Sequence, residues 1–147
     1  MDTENILRSA SEMISEGADI LDVGAYSSRP GSEGIPAEEE MRRLEMALVA
    51  IRKAHPDILL SVDTFRQEIA SRVVKDFNVN MINDISGGDM DPGMYETVAD
   101  LQVPYTMMHM KGTPSDMQEH AAYDDVVKEI IHHFSVKLLH LNKLGVN

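Results

Sequence analysis

The chain has 147 residues, 43% of them hydrophobic and 26% charged, enough for one domain with its own core. Its net charge of −12 argues against nucleic acid, whose binders carry a basic stripe, and the absence of cysteine excludes disulfides and thiolate metal sites. No apolar run approaches the roughly 20 residues of a membrane span, and Met1-Asp2-Thr3-Glu4 lacks the pattern of a secretory leader, so a cytoplasmic protein without a membrane partner is expected. In so acidic a chain an anionic ligand needs local positive charge. Arg29, Arg66 and Lys111 are the candidates.

The first predicted element is a helix over residues 2–16, with Asp2 as its cap and Ile6, Ala10, Met13 and Ile14 on one face. An apolar run over 18–23 follows as a buried strand that ends at Asp22 and Val23. It opens into a loop of small residues, hydroxyls, Arg29 and Pro30-Gly31. Pro36 starts the second helix, with Glu38, Glu39 and Glu40 near the positive end of its dipole and Met41, Leu44, Leu48 and Ile51 as its apolar stripe. Residues 58–62 form a short strand ending at Asp63. Thr64-Phe65-Arg66-Gln67 then matches a capping box for a helix bearing Ile69, Val73 and Phe77. The third strand covers 80–85, and Ser86-Gly87-Gly88 is a loop. Asp91-Pro92 opens a helix to about residue 101. The fourth strand covers 103–110, followed by a polar loop over 111–122. The last helix runs from about 124 to 144, with Val127, Ile130, Ile131, Phe134, Leu138 and Leu141 on one face.

Strict alternation of helix and strand predicts a parallel sheet covered by helices. Four such units are half of an eight-stranded barrel, which takes about 250 residues; a small open sheet is the alternative. In either case the strand ends deliver Asp22, Asp63, Asn83 with Asp84, and His109 to one rim. A polar strand end also caps the next helix, so each residue alone has a structural reading. Together, Asp63 and Asn83 offer donors and acceptors suited to a flat heterocycle such as a pterin or purine edge. Asp22 is placed to orient a water or a cation or to steady its loop. Ile85 and Met108 are placed to form an apolar floor. His132, His133 and His140 read as surface or edge residues of the last helix, and His109 and Lys111 have ordinary loop readings.

The blocks Asp22-Val23-Gly24 through Ser28-Arg29-Pro30-Gly31, Ser61-Val62-Asp63-Thr64, Ile82 through Gly88, and Met108-His109-Met110-Lys111-Gly112-Thr113-Pro114 resemble dihydropteroate synthase, of the pterin-binding enzymes. The resemblance implies a (β/α)8 barrel, of which residues 1–147 would be a single pterin-binding α/β domain holding strands two to five. That would make the chain a truncated half of a TIM barrel. It implies condensation of 6-hydroxymethyl-7,8-dihydropterin pyrophosphate with p-aminobenzoate to give 7,8-dihydropteroate and pyrophosphate, with Mg2+. Asp63 and Asn83 would bond the pterin, with Ile85 and Met108 packed on it. Ser28, Arg29 and Pro30 would enclose the p-aminobenzoate side, and Asp22 would lie near the reacting centre. No protein ligand of the metal is assigned within the chain.

Ala25-Tyr26-Ser27-Ser28 stands where the family often has Gly-Glu-Ser-Thr, so Tyr26 is expected to alter the packing of its loop. Two unpaired sheet edges would favour a homo-oligomer, and the chain alone is expected to be nearly inactive. A pterin-binding methyltransferase and a non-catalytic pterin-binding fragment are the alternatives.

Overall fold

A computed structural model describes residues 2–27, 34–114 and 116–146. Helices α1 (Thr3–Ser15), α2 (Ala37–Ala54), α3 (Gln67–Phe77), α4 (Met94–Leu101) and α5 (Val126–Lys143) alternate with strands β1 (Ile20–Gly24), β2 (Leu59–Asp63), β3 (Met81–Asp84) and β4 (Tyr105–Met107). The strands form one parallel sheet in the order β1-β2-β3-β4. Every crossover advances one strand in the same direction, so right-handed connections leave all helices on one face. Accordingly α1 packs on α2, α2 on α3, α3 on α4 and α4 on α5. This is the winding of a (β/α) barrel and not of a doubly wound sheet, whose strand order reverses.

The core lies between that helical layer and one sheet face. Leu21, Leu60, Val62 and Ile82 point into it from the strands, against Leu44, Leu48, Ile51, Ile69, Val73, Met94 and Val98. The other face carries Asp22, Gly24, Ser61, Asp63, Met81, Asn83 and Thr106, by the alternation of side chains along a strand. Ile20 and Leu59 also lie there, exposed. The expected helical cover is therefore one-sided, and the open face mixes the polar strand-end groups with apolar Ile20, Leu59 and Met81.

Asp2 caps α1 as expected, accepting from the Glu4 amide at 3.1 Å. The capping box at Thr64 does not form. Helix α3 starts at Gln67, whose amide donates to Asp91 Oδ2 at 2.8 Å, while its side-chain oxygen accepts from Thr97. Asp91 is thus shared, its Oδ2 serving α3 while its Oδ1 accepts from the Gly93 amide at 3.1 Å, and α4 begins later than expected, at Met94. The apolar face assigned to the last helix is also corrected: Val127, Ile131 and Leu138 are exposed, and only Lys137 and Leu141 of α5 are buried. Met13 of α1 is exposed as well.

Candidate active site at the carboxyl ends of the strands

Register decides which strand-end groups share a surface. Gly24, Asp63, Asn83 and Thr106 form one row across the sheet, with Asp22, Ser61 and Met81 in the row below. Because β1 ends in Gly24, nothing branches from the backbone beside Asp63. Asn83 reaches back across β2 and donates from Nδ2 to Asp22 Oδ2 at 2.9 Å. The Asp22 carboxylate only accepts, so it fixes the Asn83 amide with Oδ1 turned away and free to take a ligand N–H.

Asp63 receives no hydrogen bond from any described residue. Burial pushes its carboxyl up to about 6, and the charges of Asp22, Asp84 and Glu40 push in the same direction. A carboxylate so poorly compensated is suited to a ligand that brings donors of its own. Ile85 and Met108 directly follow the last residues of β3 and β4; Ile85 is half-buried and Met108 is 37% exposed. Ser28, Arg29 and Pro30 lie outside the described residues.

Asp84, one step beyond Asn83, faces the other way. It is fully buried and accepts from the Ser86 amide and hydroxyl at 2.8 Å, the Gly88 amide at 2.9 Å and the Tyr105 hydroxyl at 2.7 Å. Burial, then the Asp84 charge, holds the Tyr105 phenol far above its ordinary range. Tyr95 donates to the Gly87 carbonyl at 2.6 Å, and Lys137 reaches the same carbonyl at 2.7 Å and pairs with Asp89. Gly88 is fixed by this packing: its φ is +89° and a Cβ there would sit 2.3 Å from the Tyr95 ring. The loop after β3 is therefore rigid scaffolding beneath Asn83, not a phosphate cradle.

Two of the three cations singled out for an anionic ligand are already engaged. Arg66 pairs with buried Glu40, and Lys111 pairs with Glu129 at 2.6 Å and lies 3.9 Å from the Tyr123 ring centroid. His109 stacks edge-on against His133 at 4.6 Å, and His140 against Tyr95 at 5.1 Å, so His133 is part of an interior contact and not a free surface residue. Burial, then Lys137 and His109, pulls the His133 pKa down.

Glu40 and Lys137 were not singled out from sequence, although helical phase marks both. Glu40 lies four residues before Leu44 on the buried stripe of α2, and Lys137 lies four before Leu141 on α5.

Consecutive parallel strands, helices on one face and a polar row at the carboxyl ends define a segment of a (β/α)-barrel enzyme. The family described as pterin binding enzyme matches residues 1–147, and the chain belongs to it. It is 41% identical over 144 residues to the folic acid synthesis protein fol1 of Pneumocystis carinii, covering 97% of this chain and 19% of that protein. A Yersinia pestis dihydropteroate synthase solved with a sulfonamide drug complex superposes with a TM-score of 0.91 at 30% identity, over 99% of this chain and 52% of that one. The Anaplasma phagocytophilum dihydropteroate synthase, solved with bound 6-hydroxymethylpterin-monophosphate, gives 0.88 at 33% identity, over 99% and 58%. The chain thus spans about half the length of these synthases and a fifth of the fungal protein.

Proposed function

We propose that the chain is the pterin-holding portion of a dihydropteroate synthase. The observation that carries this reading is the Asp63–Asn83 row, braced by Asp22, in a chain similar over nearly all its length to a synthase solved with a pterin phosphate. Asp63 would accept from adjacent ring N–H and amine donors of the pterin, a charge-assisted pair, and Asn83 Oδ1 would take a further N–H. Ile85 and Met108 would cover the ring. In the condensation, the bond from the pterin methylene to pyrophosphate breaks, the bond to the p-aminobenzoate nitrogen forms, and that nitrogen loses a proton. The electron-rich pterin favours departure of pyrophosphate, so no strong general base is required. What the chain supplies is position and charge. Ser28, Arg29 and Pro30 are proposed for the p-aminobenzoate side on resemblance alone.

Magnesium is proposed on resemblance alone, with no protein ligand assigned to it in this chain; among the described residues no group of three or more His, Asp or Glu is arranged to hold a metal, and Asp22 Oδ2 accepts from Asn83. No step is therefore routed through magnesium. No described helix is long and apolar enough to cross a membrane, and cytoplasmic placement is proposed on composition only. The open edges of β1 and β4 support association with further polypeptide, either a second copy or further βα units. They also favour a second reading, in which this chain binds pterin without turning it over.

Calorimetry with 6-hydroxymethyl-7,8-dihydropterin tests the site. Wild type should bind, and Asp63→Asn should bind at least tenfold more weakly. Wild-type affinity should be full above about pH 6 and should fall below it as Asp63 takes a proton. Equal binding by the two proteins, or none by wild type, would overturn the reading. Turnover of the pterin pyrophosphate with p-aminobenzoate separates the synthase from the binding-only alternative.

A further inference from the structure

The segment leaving β1 is held at both ends by one side chain. Arg66, the residue before α3, donates from Nη2 to the Ile35 carbonyl at 2.8 Å. Its guanidinium lies 5.5 Å from the Tyr26 ring centroid and 5.0 Å from that of Phe65, and the two rings meet edge-to-face at 5.1 Å. Tyr26 is in turn pressed against the far stem: a Cβ on Gly34 would sit 2.9 Å from its hydroxyl. The remaining arm of Arg66 is anchored on Glu40, which is 0% exposed and also accepts from the Thr64 hydroxyl at 2.7 Å. Thr64 directly follows Asp63. One buried carboxylate, one guanidinium and two rings thus join the start of α2, the end of β2 and both described stems, Tyr26 and Ile35.

We propose that Arg66 is a positioning residue that couples the segment leaving β1 to the strand end carrying Asp63, using Glu40 as its buried anchor. A lysine could not do this, because it lacks a planar fork that bridges two acceptors while lying on aromatic faces. The arrangement has an electrical side as well. Glu40 is among the charges that oppose ionisation of Asp63, and Arg66 is the cation that offsets it. That the coupling serves a reaction rests on the synthase reading; the coupling itself can be read without ligand, so the two can fail separately.

The test is amide hydrogen exchange and NMR on the free chain. Arg66→Gln should speed exchange at Tyr26, Ser27, Gly34 and Ile35 at least tenfold and abolish the ring-current shifts between Tyr26 and Phe65, with the β2 and β3 amides unchanged. Arg66→Lys should fall between. Arg66→Gln should also raise the pH midpoint of Asp63, because Glu40 is left uncompensated. The double variant Arg66→Gln with Glu40→Gln has no unpaired buried charge to unfold it; it should keep the fast stems and return the Asp63 midpoint to the wild-type value or below. Stems that exchange as slowly as wild type in the double variant, an Asp63 midpoint that does not move, or loss of protection spread equally over all elements would each overturn the proposal.

Discussion

Asp63 and Asp84 close neighbouring strands, stand one register step apart and point to opposite faces of the sheet. Asp84 is fully buried under the helices and takes four hydrogen bonds, from Ser86, Gly88 and Tyr105. Asp63 looks onto the open face, takes none from any described residue, and has its ionisation opposed by burial and three anions. The same side chain is a structural tie in one setting and an unsatisfied acceptor in the other. Burial of a charge is tolerated where donors surround it, and is left uncompensated where a ligand is to supply them.

The sharpest way to break this contrast is to remove Asp84. Asp84→Ala strands the Tyr105 hydroxyl, the Ser86 hydroxyl and two loop amides, and should cost about 3 kcal/mol or more, as for other buried charge networks. Urea denaturation would measure it, and a loss under about 1 kcal/mol would mean that water replaces the carboxylate. Removing Lys137 attacks the same loop from α5. Lys137→Met keeps the apolar stem but leaves the Gly87 carbonyl with Tyr95 alone and Asp89 unpaired. Since Asp89 is more than half exposed and can be solvated, a smaller loss of about 1–2 kcal/mol is expected from the same titration.

Much of the fold was legible from residue spacing. The alternation of elements called for consecutive parallel strands packed by helices, whereas reading Asn83 and Asp84 together as one strand-end pair missed that they point to opposite faces, Asn83 to Asp22 and Asp84 into the core. The stripe Met41, Leu44, Leu48 and Ile51 is buried as its period requires. What spacing alone did not show is pairing between distant elements. Thr64 and Gln67 have the form of a capping box, yet the Thr64 hydroxyl accepts from the Arg66 amide while donating to Glu40, and the Gln67 amide goes to Asp91, both carboxylates lying 24 residues away. Arg66 reads as a free cation until Glu40 is seen to lie in phase with the core. The α5 stripe reads as core, but its Val127, Ile131 and Leu138 are exposed. Local rules hold where an element meets its own neighbours in sequence, and give way where a buried charge selects its partner across the fold.

The smallest effect, and the one that separates the two aspartates most cleanly, belongs to Asp63→Asn. Unfolded, this carboxyl titrates near 3.8; folded, at about 6. Between those values the native state holds more protons than the unfolded chain, so stability falls as pH rises from about 4 through about 6. A two-unit difference corresponds to about 3 kcal/mol at full strength, and solvent at the open face reduces it to the order of 1 kcal/mol. Asp63→Asn should remove this slope. At pH 7 the variant should be as stable as wild type or more so by about that amount, even as it loses the ligand acceptor. Thermal or urea unfolding at pH 4.5 and pH 7 would show this directly. A variant that loses more than about 1 kcal/mol at pH 7 would place Asp63 with Asp84 among the structural ties, and the open face would lose its claim to an acceptor held in reserve for a ligand.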